Sequence, residues 1–196
     1  MFLMGNSKAN KAVNHECIVK TAAARFREAG VEAVGVVDLM KDAGLTHGGF
    51  YRHFTTRDDM VSEAVEYALK EGGQAVAAIA NSKMSRQAVL SALIDAYLSV
   101  AHRDGLATSC AVTTLAGDVA RSNERVRSAY TQQVDIYLAV LINLMAGEKQ
   151  KSRRIKAVAA LSTLVGAVSM ARAVNDETLS REILQSAAEE LKTHLG

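Results

Sequence analysis

Between residues 46 and 57 the chain places Thr46, His47, Tyr51, Arg52, His53 and Arg57, a set of hydroxyl, imidazole and guanidinium donors with no carboxylate among them. Such donors suit anionic oxygens and base edges. An arginine such as Arg52 can donate bidentately to guanine and His47 to a base edge or a phosphate, while Tyr51, His53 and Arg57 are better placed for phosphate. Gly48 and Gly49 stand inside the set, and backbone without side chains can come close to a large partner. Other chemistry has little support. His15, His102 and His194 share no metal spacing, and the His15-Glu16-Cys17 run lacks the second histidine of a zinc-hydrolase helix. There is no GxSxG elbow, no glycine-rich phosphate loop after a strand and no pair of acids in an apolar setting. No catalytic residue, metal or cofactor is therefore expected.

The elements that must hold these donors are short helices. A first helix is expected from about Asn14, as N-cap, to Ala29, with Ile18, Ala22, Phe26 and Ala29 at the helical period and Gly30 ending it. Val36, Leu39, Met40 and Ala43 recur at i, i+3, i+4 and i+7 between Gly35 and Gly44, which predicts two more turns. Thr46 can then cap a short helix whose Leu45, Phe50 and Phe54 point inward and whose His47, Tyr51, Arg52 and His53 face out. Thr56 followed by Asp58 and Asp59 reads as a fresh N-terminus, opening a long helix toward Ile79. Two short helices joined by a glycine-containing turn make a helix-turn-helix, although such pairs also build ordinary cores.

From Ser85 the pattern stays helical: about 85–103, a broken stretch at 111–120, then 123–145, 152–174 and 180–194. Breaks are expected at Asp104-Gly105, Gly117 to Asn123, Ala146-Gly147 and Asn175-Asp176. The first ten or so residues, with Lys8 and Lys11 among them or just beyond, read as a mobile arm. Proline is absent, aromatics are 5% and the sequence is 49% hydrophobic, a composition that disfavours sheets and allows a sizeable core. Eight basic residues face seven acidic ones up to residue 60, and fifteen face fourteen after it, so any basic footprint is local. No uncharged run reaches the roughly 20 residues of a bilayer span, which excludes a membrane partner and points to the cytoplasm. Cys17 and Cys110 read as free thiols, Cys17 as packing in the first helix.

Residues 14–60 closely resemble the DNA-binding head of the tetracycline-repressor (TetR/AcrR) family, the likeness being carried by AGLTHGGFYRHFTTRDDM. The resemblance implies that Leu39 and Ala43 belong to the core of the first helix of the motif, Gly44-Leu45-Thr46 to its turn and cap, and His47 through His53 to the recognition helix. It implies that Thr46, His47, Gly48, Tyr51, Arg52 and His53 face DNA, with Arg57 in the place of a basic residue, usually lysine, opening the fourth helix. Two positions depart from the family. Val34 and Gly35 stand where a threonine often precedes the second helix, and Gly49 replaces a residue that often reads bases, which shifts weight to DNA shape. SCAVTTLAGDVARSNERVRSAY and LVGAVSMARAVNDETLSREIL resemble the effector domain of LmrA- and YxaF-like regulators.

The expected protein is all-α: an N-terminal three-helix DNA-binding domain with its arm over residues 1–57, and a helical effector-binding and dimerisation domain over 58–196. Leu161, Leu164, Val168, Ile183, Ala187 and Leu191 are candidates for a four-helix homodimer seam, the other reading being a central helix of a monomer core. Leu93, Tyr97, Cys110, Tyr130, Val134, Tyr137 and Leu141 are candidates for a small-molecule effector cavity, though each also fits plain core packing. The function expected is a regulator, a repressor released from a palindromic operator of double-stranded DNA by a small organic effector. A thiol sensor using Cys110 is the alternative within regulation; a helical dimeric enzyme or scaffold with a degenerate head is the alternative outside it.

Overall fold

The computed structural model describes residues 7–145 and 150–195, and the regular structure in them is entirely helical. Helix α1 spans Ser7–Ala29. It begins before the expected cap at Asn14, which corrects the arm reading for residues 7–10. Nothing between Ser7 and Asn14 breaks a helix, and alanines and lysines propagate one well, so Asn14 is overrun. Residues 1–6 of that arm lie outside the described residues. Ile18, Ala22 and Phe26 are buried as expected, but Ala29 is exposed and Arg27 is buried in its stead. Cys17 is exposed, its sulfur 3.7 Å from the Ala43 carbonyl, and so is not a packing residue.

Helix α2, Val36–Asp42, ends on Gly44, which takes φ +71°. Gly44 N–H donates to Lys41 and Leu45 N–H to Met40, the paired bonds that close a helix through a left-handed glycine. The next segment, His47–Arg52, is a 3-10 helix rather than an α-helix. Thr46 precedes it without a side-chain cap bond, and only its carbonyl accepts, from Gly49. Two glycines leave this turn little helical preference of its own, and it is pinned by buried Phe50 and Phe54. Helix α3, Arg57–Ala80, opens on a full capping box: Thr56 accepts from Asp59 N–H, and the Asp59 carboxylate accepts from Thr56 N–H.

The stretch expected as one helix over 85–103 is two, α4 (Arg86–Tyr97) and α5 (Val100–Asp104). Ser99 separates them by capping the His102 N–H while its hydroxyl donates to Ala96. A 3-10 turn, Leu106–Thr108, follows Gly105, then α6 (Ala111–Thr114) and α7 (Ala116–Ala120). Gly117 lies inside α7, so the break falls later, and Asn123 caps α8 (Glu124–Leu144). Helices α9 (Gln150–Ala173) and α10 (Glu177–Leu195) complete the chain, divided as expected at Asn175-Asp176; the break expected at Ala146-Gly147 lies outside the described residues. Helix α9 is by length and composition apolar enough to cross a membrane, which the uncharged run alone did not suggest. Its buried face is covered by α8 and α10.

Two pairings position everything else. Helix α3 packs on α1 in the first part of the chain, the head, and on α8 in the remainder, the body, so one helix joins the two. The turn 106–108 packs on α1, giving the body a second hold on the head.

Candidate nucleic-acid interface and effector cavity

On the head, Thr46, His47, Gly48, Tyr51 and Arg52 form one exposed surface, with Tyr51 73% accessible. A Cβ built on Gly48 would meet nothing within 4 Å, whereas one on Gly49 would approach the Met40 methyl at 3.6 Å. Gly48 thus keeps the outer backbone bare, and Gly49 fits the turn against α2. His53 is half-buried; burial first, then the charges of His15, Lys11 and Arg52, hold its pKa below the ordinary value. Its Nδ1 has no hydrogen-bond partner. Beside it His15 stacks on Phe54 at 4.6 Å and meets the Glu63 carboxylate at 2.6 Å. Arg57 is committed elsewhere. It donates to the Val31 carbonyl at 2.7 Å and lies 3.6 Å from Glu32, so it braces the α1–α2 connection.

Head and body are tied by buried polar groups that hydrophobic periodicity passed over. Arg27 of α1 donates to the Ala107 carbonyl and pairs with Glu71 of α3 at 2.5 Å. Val31 N–H donates to Asp118 of α7 at 3.2 Å. From the other side Arg172 of α9 donates to the carbonyls of His102 and Arg103, each at 2.9 Å, and to the Ser109 hydroxyl. Arg103, buried, bonds Asp104, Glu177 and Ser180. The turn 105–109 is therefore clamped between the head and the body.

His102 locks the same turn. Its Nδ1 lies 2.6 Å from the Tyr97 carbonyl and its Nε2 accepts from Cys110 N–H at 3.0 Å, with Ser109 Oγ at 3.1 Å. A carbonyl only accepts and a backbone amide only donates, so these partners fix the neutral ring with its proton on Nδ1. Burial, helped by the charge of Arg172, lowers the His102 pKa against the opposing pull of the Tyr97 carbonyl. An unfolded chain takes up the proton at a higher pH than the folded one, so stability is full above about pH 6.5 and declines as the pH falls below it. His102→Gln is expected to be less stable at pH 7.5 but to lose less on going to pH 5.5, with His53 leaving some slope. Urea midpoints across that range check this, and an unchanged slope in the variant would contradict it.

The body holds two small adjoining cavities, of about 150 and 40 Å³, both lined by Val76, Leu93, Tyr97 and Tyr137. Cys110 and His102 face the larger, and Leu141, Leu161 and Leu164 the smaller. Of the expected effector residues, Leu93, Tyr97, Cys110, Tyr137 and Leu141 come together here. Tyr130 and Val134 do not. The Tyr130 hydroxyl donates to the Val112 carbonyl at 2.8 Å, holding α8 to α6, and Val134 packs against the core. Burial raises the pKa of Tyr97 and of Tyr137 well above the ordinary tyrosine value. Gly72, Val76 and Thr108, which lie outside the expected set, also line the larger cavity or both.

The seam residues also fall differently from expectation. Leu161, Leu164, Val168 and Leu191 are buried within a single protomer, and Ile183 and Ala187 are half-buried. The opposite side of α9 carries Ile155 (64% accessible), Val158, Ser162, Ser169 and Met170 (58%), with Leu179 of α10 exposed as well. The exposed side of α9 thus lies across the helix from Leu164.

Comparison with known proteins accords with this geometry. Residues 18–64 match the family of bacterial regulatory proteins, tetR family. No curated protein sequence matches the chain. Among solved structures, a TetR transcriptional regulator from Chloroflexus aurantiacus is 22% identical, with a TM-score of 0.77 over 94% of this chain and 95% of that one. The reduced form of Escherichia coli NemR is 19% identical, with a TM-score of 0.77 over 92% and 96%. A TetR regulator from Legionella pneumophila is 17% identical, with a TM-score of 0.78 over 98% and 100%. Residues 18–64 of this chain therefore match a tetR-family N-terminal domain, and the described residues around them have the TetR-like fold.

Proposed function

We propose that the protein is a ligand-responsive transcription regulator, a repressor that leaves a palindromic operator when a small organic molecule binds its body. The observation that carries this reading is the exposed donor set His47, Tyr51 and Arg52, mounted on buried Phe50 and Phe54 inside a segment matching the tetR family. In this reading residues 1–57 serve as the head and 58–196 as the body, α3 beginning at the division and packing back on α1, and the protein works in the cytoplasm. Two copies meet through the exposed side of α9 with α10, because one short recognition turn makes too few base contacts to be selective and two-fold symmetry doubles them. The LmrA- and YxaF-like character of the body rests on its sequence segments alone.

Arg52 and Arg57 should fail differently. Arg52→Ala is expected to cost about 1–3 kcal/mol of operator binding and to relax preference at one or two base pairs. Arg57→Ala should weaken all sequences alike, since the side chain braces the α1–α2 connection. Titration of both variants against single-base operator changes decides it, and sequence-blind losses for both would remove Arg52 from base reading.

A second reading within regulation uses Cys110. Its thiol is buried at the larger cavity, 3.7 Å from the Tyr137 hydroxyl, and one similar structure is described as a reduced form. If operator release follows electrophiles only, and only in protein that keeps Cys110, thiol chemistry replaces reversible binding.

A further inference from the structure

Three tyrosine hydroxyls reach the interior of the body, and two are fully engaged. Tyr97 bonds Thr113 Oγ1 at 2.5 Å and Tyr130 donates to Val112. The Tyr137 hydroxyl meets the Cys110 sulfur, a weak partner, at 3.7 Å, and otherwise only the Gln133 side chain. One helical turn away Gln133 faces the same side of α8, is 5% accessible, and its Nε2 reaches no acceptor at hydrogen-bond geometry. Unpartnered buried donors are few in folded proteins and call for an explanation.

Both side chains stand against a notch that the sequence provides at a cost in helix propensity. Gly72 and Gly73 are adjacent in the middle of α3, where glycine is unfavourable. A Cβ on Gly72 would lie 2.8 Å from the Tyr137 oxygen, and one on Gly73 2.8 Å from Gln133 Nε2. The glycines are what let Gln133 and Tyr137 lie where they do. The pair lines two spaces. Tyr137 lines the inner cavity of about 150 Å³, while Gln133 lines an open groove of about 650 Å³ between α3 and α8. Ligand sites usually enclose some 300–1,000 Å³, more than the inner cavity offers, so a ligand of ordinary size would reach from the cavity toward the groove, past this pair.

We propose that Gln133 and Tyr137, set against the Gly72–Gly73 notch, are the polar recognition pair for the carbonyl oxygen of an otherwise apolar ligand. The inference rests on the effector-binding reading and specifies the chemistry of that site. A carbonyl oxygen has two lone pairs and can accept from both groups at once. The inner end of the ligand lies on Val76, Leu93 and Leu141, apolar walls where an ionised carboxylate would lose its hydration, whereas the cations Lys70 and Arg125 line only the outer groove. The weakly engaged donors select for an acceptor, and the inner walls select for a neutral one.

The test compares acetophenone with 2-phenylpropene, which replaces the C=O by C=CH₂ at nearly the same shape, using the full-length protein. Calorimetry is expected to show acetophenone at least about tenfold tighter, because a site built to hydrogen-bond a group discriminates against its absence. Difference infrared spectra should show the bound carbonyl stretch lowered. Gln133→Leu and Tyr137→Phe should each remove most of that preference while leaving 2-phenylpropene binding within about twofold, and Tyr130→Phe, whose hydroxyl is bonded to Val112 away from both cavities, should leave it intact; melting curves confirm that the variants fold. Saturable but equal binding of the two probes to the wild type, or a preference that survives both substitutions, overturns the pair while leaving an effector cavity in place. If neither probe binds saturably, the cavity reading falls together with the pair.

Discussion

Leu164→Asp is expected to destabilise the folded protomer by about 3–5 kcal/mol, through loss of a buried leucine and the enclosure of a carboxylate without a partner. Leu164 is buried and lines the smaller cavity beside Tyr97 and Tyr137, whose lining residues include no cation to pair with the charge. Urea denaturation should show the midpoint falling sharply with little change in slope. Leu164→Ala should lose about 2–5 kcal/mol by the cavity it leaves. A variant with Asp at 164 that kept the wild-type midpoint would mean that this side of α9 is not interior.

The other large effect lies on the opposite side of the same helix. Val158→Asp combined with Met170→Asp should leave the circular dichroism and melting of the protomer near normal, since both side chains are exposed in one copy. Sedimentation should show the dimer replaced by a monomer, because two like charges per chain would be enclosed in an apolar seam. Operator affinity should then drop by two orders of magnitude or more, as linked half-site binding becomes independent binding. A folded double variant that remained dimeric would move the seam away from α9. The two substitutions thus separate interior from interface on one helix.

The same helix illustrates why part of the structure was not legible in the sequence. Alanine, serine and glycine interleave with leucine and valine on every side of residues 157–171, so periodicity does not choose which side turns inward, and Leu164, a seam candidate in the sequence, is buried within the protomer. The head was read more closely because its signals are local. Gly44 must take a positive φ, and Thr56 with Asp59 makes a capping box from adjacent residues. Phe50 and Phe54 are large enough to have only one place to go. By contrast, Arg27, Arg103 and Arg172 are charges whose partners lie far along the chain, at Ala107, Glu177 and His102 among others, and no spacing announces such pairs. Gly72 and Gly73 could have been noticed. Two glycines inside an otherwise strong helix signal a close approach, here by Gln133 and Tyr137. Tyr130 looked equivalent to Tyr137 because both recur on α8, and only the fold shows that its hydroxyl is spent on Val112.

The central claim is sequence-selective DNA binding by a symmetric dimer, and selection of bound fragments from a genomic library, repeated at about 50 and 200 mM salt, tests it most directly. The account predicts recovery of a palindrome whose half-sites are separated by about one helical turn, or a multiple of it, with affinity falling steeply as salt rises. Retained fragments that share no sequence, or no retention even at the lower salt, would contradict it.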